Sequence, residues 1–163
     1  MDPRPKKNIL RDDTDNPVYD KKGHVIEIPP GEDPHFFIDQ GLLDRMRRGG
    51  VPNEDELRAM ARILMSLMKF RQGGPWDSQR IKGVPILQFV DYATVALGLY
   101  GAAAGIPIQT LFIIQDYYAW FKSQYPEGTV YDETYTHLPE RNVGNTELGY
   151  ELYKSGKIGP SKK

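Results

Sequence analysis

An apolar run of twenty residues, 95–114, sets the strongest limit on what this chain can fold into. Its clearly polar members are Gln109 and Thr110, and a run of this length can cross a bilayer as one helix. Gly105 and Pro107 interrupt it near the middle, and a proline inside a helix removes a backbone donor and clashes with the preceding turn. Each half therefore predicts a buried helix of a globular bundle, and no stable membrane insertion is expected. A pore-forming hairpin is the alternative.

Turn and cap residues divide the rest of the chain into further helices. Asp33 opens the first and Gly49 ends it, Asn53 caps the second, Pro107 begins the fourth, and Gly156 stops the fifth. The predicted helices span residues 33–48, 53–72, 86–104, 106–125 and 145–154. The sequence thus predicts a mainly α fold, a compact bundle of about five helices.

The 163 residues, with 39% apolar content, fit one globular domain with a core of its own. Residues 1–32 are charged and contain several prolines, which predicts a flexible lead, and a turn at Gly23 between two β-prone runs predicts a small hairpin within it. Residues 33–156 form the predicted helical domain, and residues 157–163 a polar tail. No apolar segment follows the basic residues of the start, so no signal peptide is expected in this chain.

Composition excludes several chemistries. The chain has no cysteine, which removes disulfides, thiol catalysis and thiolate metal sites. His24, His35 and His137 lie far apart without paired spacing, and the nucleophile-elbow, phosphate-loop and dinucleotide motifs are missing, so neither a metal nor a cofactor is expected. The 21 basic and 22 acidic side chains give a net charge of −1, which argues against a surface built to bind nucleic acid.

The second predicted helix is amphipathic. At about 100° per residue, Arg58, Arg62 and Lys69 fall within a narrow arc that we interpret as a solvated face, with a local basic patch as the alternative. The opposite stripe, expected to face the core, contains Leu57, Met60, Ile63, Leu64 and Leu67.

A loop rich in turn formers follows this helix and contains Gly73-Gly74-Pro75-Trp76-Asp77. In the structural interpretation, Trp76 plugs the edge of the core while Asp77 caps a turn. In the functional interpretation, Trp76 stacks on a sugar or a base beside an acid–base group, because loops on a rigid scaffold gather such residues. The sequence leaves both interpretations open.

The third helix has one face of small residues with a single acid at its head. At about 100° per residue this face contains Asp91, Thr94, Gly98, Gly101, Ala102 and Gly105. One explanation is close packing against a neighbouring helix, with Asp91 bonded to a loop amide or an arginine. The other is a groove with a glycine floor and Asp91 at its polar end, which would accept an extended polymer or a nucleotide.

Together these residues resemble the bacterial polymorphic toxin type 44 family over roughly residues 55–156. The matching features are Gly74-x-Trp76-Asp77, then Gly98, Gly101 and Gly105 followed by Ile106, then Pro139-x-Arg141-Asn142, and Gly149-Tyr150-x-x-Tyr153. The family typically also has an Asn-x-Asn or Asn-x-His pair followed by Tyr-Gly. This chain departs from that pattern, with Thr94 and Ala96 at the polar positions and Leu97 at the tyrosine position.

The resemblance implies a mostly helical effector domain that specialised systems secrete or inject into a target cell. It also implies an antibacterial toxin with a cognate immunity protein as its partner. Asp77 and Trp76 are the positions of this chain that match the family's Gly-x-Trp-Asp motif.

The preferred function is a carboxylate-based hydrolase that acts on peptidoglycan. Asp77 and Asp91 are the predicted catalytic acids, with His137 as proton carrier, because two carboxylates in unequal surroundings can divide the acid and base roles. The remaining candidate acids are Asp116, Asp132, Glu133 and Glu140. The predicted substrate-binding residues are Trp76, Thr94, Gly98, Gly101, Arg141 and Asn142.

Two other functions stay open. In a ribonuclease-type toxin, His137 would act as acid or base, and Arg141 or Lys82 would hold the phosphate of an RNA substrate. In a catalytically degenerate binding or structural module, no reaction takes place, and Thr94 and Ala96 favour this alternative because the family has polar groups there.

Overall fold

The computed structural model describes residues 8–49, 56–81, 84–85, 87–123 and 125–162. Within these residues the fold is mainly α, and five helices pack compactly, which confirms the predicted class. The helices are α1 (His35–Gly49), α2 (Glu56–Leu67), α3 (Val90–Ala103), α4 (Ile108–Lys122) and α5 (Glu140–Lys154). Short 3-10 turns at Met68–Phe70 and Leu87–Phe89 follow α2 and precede α3. Two short strands, β1 (Arg80–Ile81) and β2 (Val84–Pro85), pair antiparallel in the connection between these turns.

The break between α3 and α4 lies where the sequence predicts it. Gly105 takes a φ of +73°, and the amide of Ile106 donates to the carbonyl of Gly101 at 2.9 Å, a glycine-ended helix stop. Pro107 then opens α4 with a φ of −57°. No helix in the described ranges is long and apolar enough to cross a membrane.

Among the described helices, α3 has the most neighbours, since α5 packs along one side of it and α1 along another. Tyr92, Val95, Leu99 and Tyr100 are completely buried between these neighbours. A second, smaller cluster joins α4 to α5 and contains Phe112, Ala119, Leu138 and Val143.

The lead and the tail contribute to the same core. Leu10, Ile26 and Ile158 are completely buried, and Ile158 also donates its amide to the carbonyl of Leu152. The amide of Asp13 donates to the carbonyl of Lys157 at 2.9 Å, so the described lead and tail lie side by side. The described parts of the lead and the tail therefore pack against the helical domain.

The predicted N-terminal hairpin is not shown. Residues 8–28 contain isolated antiparallel bridges, such as Tyr19 with Val25, and no strand among the described residues of that segment. Gly23 does form the expected turn with a φ of +83°, and its amide donates to Asp20.

Helix α5 begins at Glu140, earlier than the predicted start at residue 145. Pro139 opens it with a φ of −57°, and the amide of Glu140 donates to the carbonyl of Val130. Gly144, which the sequence places in a polar loop, is a helical residue whose Cα faces the aliphatic stem of Lys21. Burial of Val143 against α4 outweighs the weak helix propensity of the glycine.

Helix α2 differs from its prediction in the face that it buries. Leu67 is buried and Ile63 is partly buried, as expected, but Met60 and Leu64 are exposed. The reason is that Phe70, just beyond the helix, fills the adjoining core instead. The predicted cap Asn53 and the side chain of Leu57 lie outside the described residues.

Candidate functional site

Trp76 lies at the edge of the main core inside a cluster of aromatic rings. Its ring centroid is 5.2 Å from that of Phe70 and 5.3 Å from that of Tyr100. Phe36 and Phe37 of α1 also contact it edge-on. This arrangement matches the structural interpretation, in which the indole plugs the core.

Asp77 accepts hydrogen bonds from the loop that carries it. The amide of Gly73 donates to Asp77 Oδ2 at 2.8 Å, and the amide of Gln79 donates to Oδ1 at 3.3 Å. A cavity of about 120 Å³ lies beside it, and its lining includes Trp76 and Thr94. The cavity is small and open to solvent.

Asp91 is buried and bonded to α5. Its carboxylate forms an ion pair with Arg141 and accepts a hydrogen bond from Asn145 Nδ2 at 2.8 Å. The hydrogen bond and the charge of Asp91 raise the pKa of the Arg141 guanidinium because they favour its charged form, whereas partial burial acts to lower that pKa. Asp91 therefore ties the beginning of α3 to the first turns of α5, and it does not line the cavity beside Asp77. The two predicted catalytic acids therefore have different surroundings, with Asp77 beside the cavity and Asp91 bonded to α5.

The glycine face of α3 is covered rather than open. A Cβ on Gly98 would lie less than 3.0 Å from the backbone of α5 at Thr146, and one on Gly101 would meet the side chain of Leu111. The glycine-floored groove is therefore not present at these positions, and close helix packing explains the small residues.

Thr94 and Ala96, the two positions of α3 that differ from the family's polar pair, contact other parts of the fold. Thr94 Oγ1 donates to the carbonyl of Val90 at 3.1 Å, and Ala96 is completely buried. Asn142 lies in the first turn of α5, where its carbonyl accepts a hydrogen bond from Thr146 Oγ1 at 3.0 Å.

His137 lies just before α5 and pairs with Asp116 of α4. The amide of His137 donates to Asp116 Oδ1 at 2.8 Å, and its ring Nδ1 is 3.4 Å from Oδ2. The histidine side chain is 46% exposed, and that of Asp116 is 25% exposed. A carboxylate that orients a solvent-accessible imidazole is an arrangement used for general acid–base chemistry.

Next to this pair, α4 exposes a group of aromatic side chains that we call the α4 aromatic ridge: Tyr117, Trp120 and Phe121. Their ring centroids lie 5.4 to 5.8 Å apart, and each side chain is about 60% exposed. The Trp120 centroid is 6.1 Å from the His137 ring. The exposed tryptophan beside the His137–Asp116 pair is therefore Trp120, whereas Trp76 is enclosed by other rings.

The structure thus separates the predicted site residues into three places. Trp76, Asp77 and Thr94 surround the small cavity, the buried Asp91 pairs with the exposed Arg141, and His137 lies beside Asp116. Sequence reasoning included Asp116 among the candidate acids but did not pair it with His137, which lies 21 residues away. The spacing of the ridge residues indicates this surface, because positions 117, 120 and 121 share one face of α4.

No group of three or more metal-ligating side chains occurs in the part of the chain that the structure describes. Lys82, the alternative phosphate-binding residue, lies outside that part.

Comparison of the chain with protein-family models, with curated proteins and with solved structures finds no match. The resemblance to the type 44 toxins therefore depends on the sequence motifs alone.

Proposed function

We propose that this chain is a secreted or injected effector domain of the polymorphic toxin type 44 kind, and that it hydrolyses peptidoglycan. The observation that carries this proposal is the pairing of His137 with Asp116 beside the exposed Trp120. In this proposal Asp116 replaces Asp77 and Asp91 as the working carboxylate, because the latter two are bonded into the fold.

The chemistry follows from the geometry of the pair. Asp116 faces Nδ1 of the imidazole, which leaves Nε2 to exchange a proton with a substrate oxygen or a water molecule. His137 then acts as the acid–base group, and Asp116 orients its ring.

A glycan fits the neighbouring surface better than RNA does. Exposed indole and phenol rings such as those of Trp120 and Tyr117 offer apolar faces for sugar rings and polar edges for hydroxyls. Arg141, the described residue expected to hold a phosphate, already pairs with Asp91. The net charge of −1 also disfavours a polyanion.

The test is toxicity and fragment release. We expect growth arrest when the chain is directed to the periplasm of a bacterium and none when it stays in the cytoplasm. Purified protein should release soluble fragments from isolated peptidoglycan, and His137→Gln should lower that rate by about 100-fold or more. Asp116→Asn should lower it as well, because the ring loses the partner that orients it.

His24→Gln is the matched control, since His24 is also an exposed histidine near a carboxylate, with Nδ1 3.7 Å from Asp20 Oδ2. For the ridge, Trp120→Ala should weaken glycan binding, while Tyr19→Ala, at a similarly exposed aromatic, should not. Toxicity confined to the cytoplasm, with RNA cleavage, would replace this proposal by the ribonuclease. A cognate immunity protein should suppress whichever toxicity is found.

The non-catalytic binding module is the second candidate, favoured by the structural roles of Asp77 and Asp91. Ala96 has no space for a family-like polar residue, but Thr94 lines the cavity, so Thr94→Asn restores one polar group. If neither the unchanged chain nor Thr94→Asn hydrolyses peptidoglycan, and both still bind glycan, the chain is a binding module.

A further inference from the structure

Helix α2 exposes an apolar stripe to solvent, which we call the α2 stripe: Met60, Leu64, Met65 and Met68, the last in the 3-10 turn that follows the helix. Met65 is 74% exposed. Isolated exposed apolar residues are ordinary, but contiguous ones on one helix face indicate an interaction surface.

The stripe is separate from the edge by which the helix joins the core. Leu67 is buried and Ile63 is partly buried on one edge, and Phe70 continues this packing into the aromatic cluster around Trp76. At about 100° per residue, the α2 stripe occupies the arc next to this edge. Folding of the domain therefore does not cover it.

Basic side chains border the stripe on its other edge. Arg58 and Lys69 project next to Met65, with Arg62 just beyond them, at about 100° per residue. Arg58 and Arg62 are exposed, and the Lys69 ammonium lies 4.6 Å from the Trp76 ring centroid. Helix α2 begins at Glu56, and no further acidic residue occurs in the sequence through residue 76, although the whole chain carries a net charge of −1.

We propose that α2 binds an anionic lipid surface, lying in the plane of the interface with the α2 stripe inserted and the basic arc toward the headgroups. A short helix with a concentrated apolar face and arginine or lysine beside it is suited to this position, whereas no described helix can span a bilayer. A second copy of the chain fits less well, because two α2 helices would bring like charges together.

This inference goes beyond the proposed hydrolysis and does not depend on it. Lipid binding is measured without substrate, so failure of one proposal leaves the other intact.

The experiment is co-sedimentation of the full chain with phosphatidylcholine vesicles, with and without phosphatidylglycerol. We expect binding to the anionic vesicles, weakening as salt is raised, and little binding to the zwitterionic ones. Met65→Glu and Leu64→Glu should each reduce the bound fraction by about tenfold or more, because they place a carboxylate in the apolar stripe.

Val130→Glu is the control, since Val130 is also an exposed apolar residue, 65% exposed, and lies outside α2. It should bind vesicles like the unchanged chain, and unfolding midpoints should show that all three variants fold. Equal binding by Met65→Glu and Val130→Glu, or no preference for anionic vesicles, would overturn the proposal. A dimer in light scattering that Met65→Glu abolishes, without lipid binding, would assign the stripe to a second copy instead.

Discussion

Gly98 of α3 and Gly149 of α5 lie against each other's helix where the two helices cross. A Cβ on Gly98 would lie less than 3.0 Å from the carbonyl oxygen of Thr146, and one on Gly149 would lie equally close to the carbonyl oxygen of Val95. Each glycine therefore permits the approach of the other helix's backbone, which rotation of a side chain cannot relieve. The position of α5, and with it Arg141 and His137, depends on this crossing.

We expect Gly98→Ala and Gly149→Ala each to lower the free energy of unfolding by about 3 kcal/mol or more, because the helices must separate. Denaturant titration measures the loss. Gly144→Ala on α5 is the control, since its Cβ would meet only the flexible Lys21 side chain. That change should stabilise the protein by up to about 1 kcal/mol through helix propensity. Equal effects at Gly144 and Gly149 would show that the crossing is looser than described.

Asp91 should contribute to stability rather than to catalysis. Asp91→Asn removes the negative charge that pairs with Arg141 and accepts a hydrogen bond from Asn145. We therefore expect the free energy of unfolding to fall by about 1–3 kcal/mol. Any hydrolytic rate should then stay proportional to the folded fraction. In a double-mutant cycle with Arg141→Gln, the two losses should be less than additive, because both variants break one pair. Loss of activity at full stability would return Asp91 to the catalytic site.

The sequence predicts the helices well because their ends are local. Gly105 and Pro107 stop and restart the backbone by their own geometry, whatever the rest of the chain does. The start of α5 was placed too late because Gly144 reads as a loop residue, whereas burial of Val143 against α4 holds the helix there. That burial depends on a distant part of the chain.

The candidate site was harder to predict because its members meet only in the folded chain. Asp116 and His137 come together when the segment before α5 lies along α4. Trp76 precedes Asp77 in the sequence, and Trp120 lies beside His137 in the fold. Only packing encloses the Trp76 ring among other rings and leaves the Trp120 ring exposed.

His35 links the beginning and the end of the chain through two carboxylates. Its Nε2 is 2.7 Å from Asp13 Oδ1 and its Nδ1 is 2.6 Å from Asp33 Oδ1, while Asp13 also accepts the amide of Gly159. Burial alone would lower the pKa of His35, but the bonds and charges of Asp13 and Asp33 outweigh it and raise that pKa above 6.5. Burial likewise acts to raise the pKa of Asp13, yet its bonds with His35 and Gly159 lower it below 3.8.

The pH dependence of stability follows from these directions. The His35 contribution is complete below its unfolded pKa, about 6.5, and is lost as the pH rises through the raised folded value. The Asp13 contribution is present above about 3.8 and is lost as the pH falls through the lowered value. The link should therefore be strongest between these limits.

We expect the unfolding midpoint of the unchanged chain to exceed that of His35→Gln at about pH 5, and the difference to shrink by about pH 8. Because the His35 and Asp13 side chains are partly exposed, the corresponding difference in the free energy of unfolding should be about 1 kcal/mol or less. His24→Gln serves as the control for the loss of an exposed histidine near a carboxylate. A difference that is constant over this range would mean that His35 contributes by packing alone.

The two tryptophans of the chain should respond in opposite ways to truncation. Trp76→Ala removes the ring that contacts Phe70 and Tyr100, and we expect a loss of about 3 kcal/mol or more in the free energy of unfolding. Trp120→Ala removes a side chain that is 60% exposed, so stability should change by less than about 0.5 kcal/mol while glycan binding falls.

Fluorescence gives an independent measurement, because each variant leaves one indole. Trp76 alone should emit at shorter wavelength and resist quenching by acrylamide, and Trp120 alone should emit at longer wavelength and be quenched readily. If Trp76→Ala kept full stability but lost glycan binding, the functional surface would lie at the Asp77 loop. The assignment of the reaction to His137 and Asp116 would then be wrong.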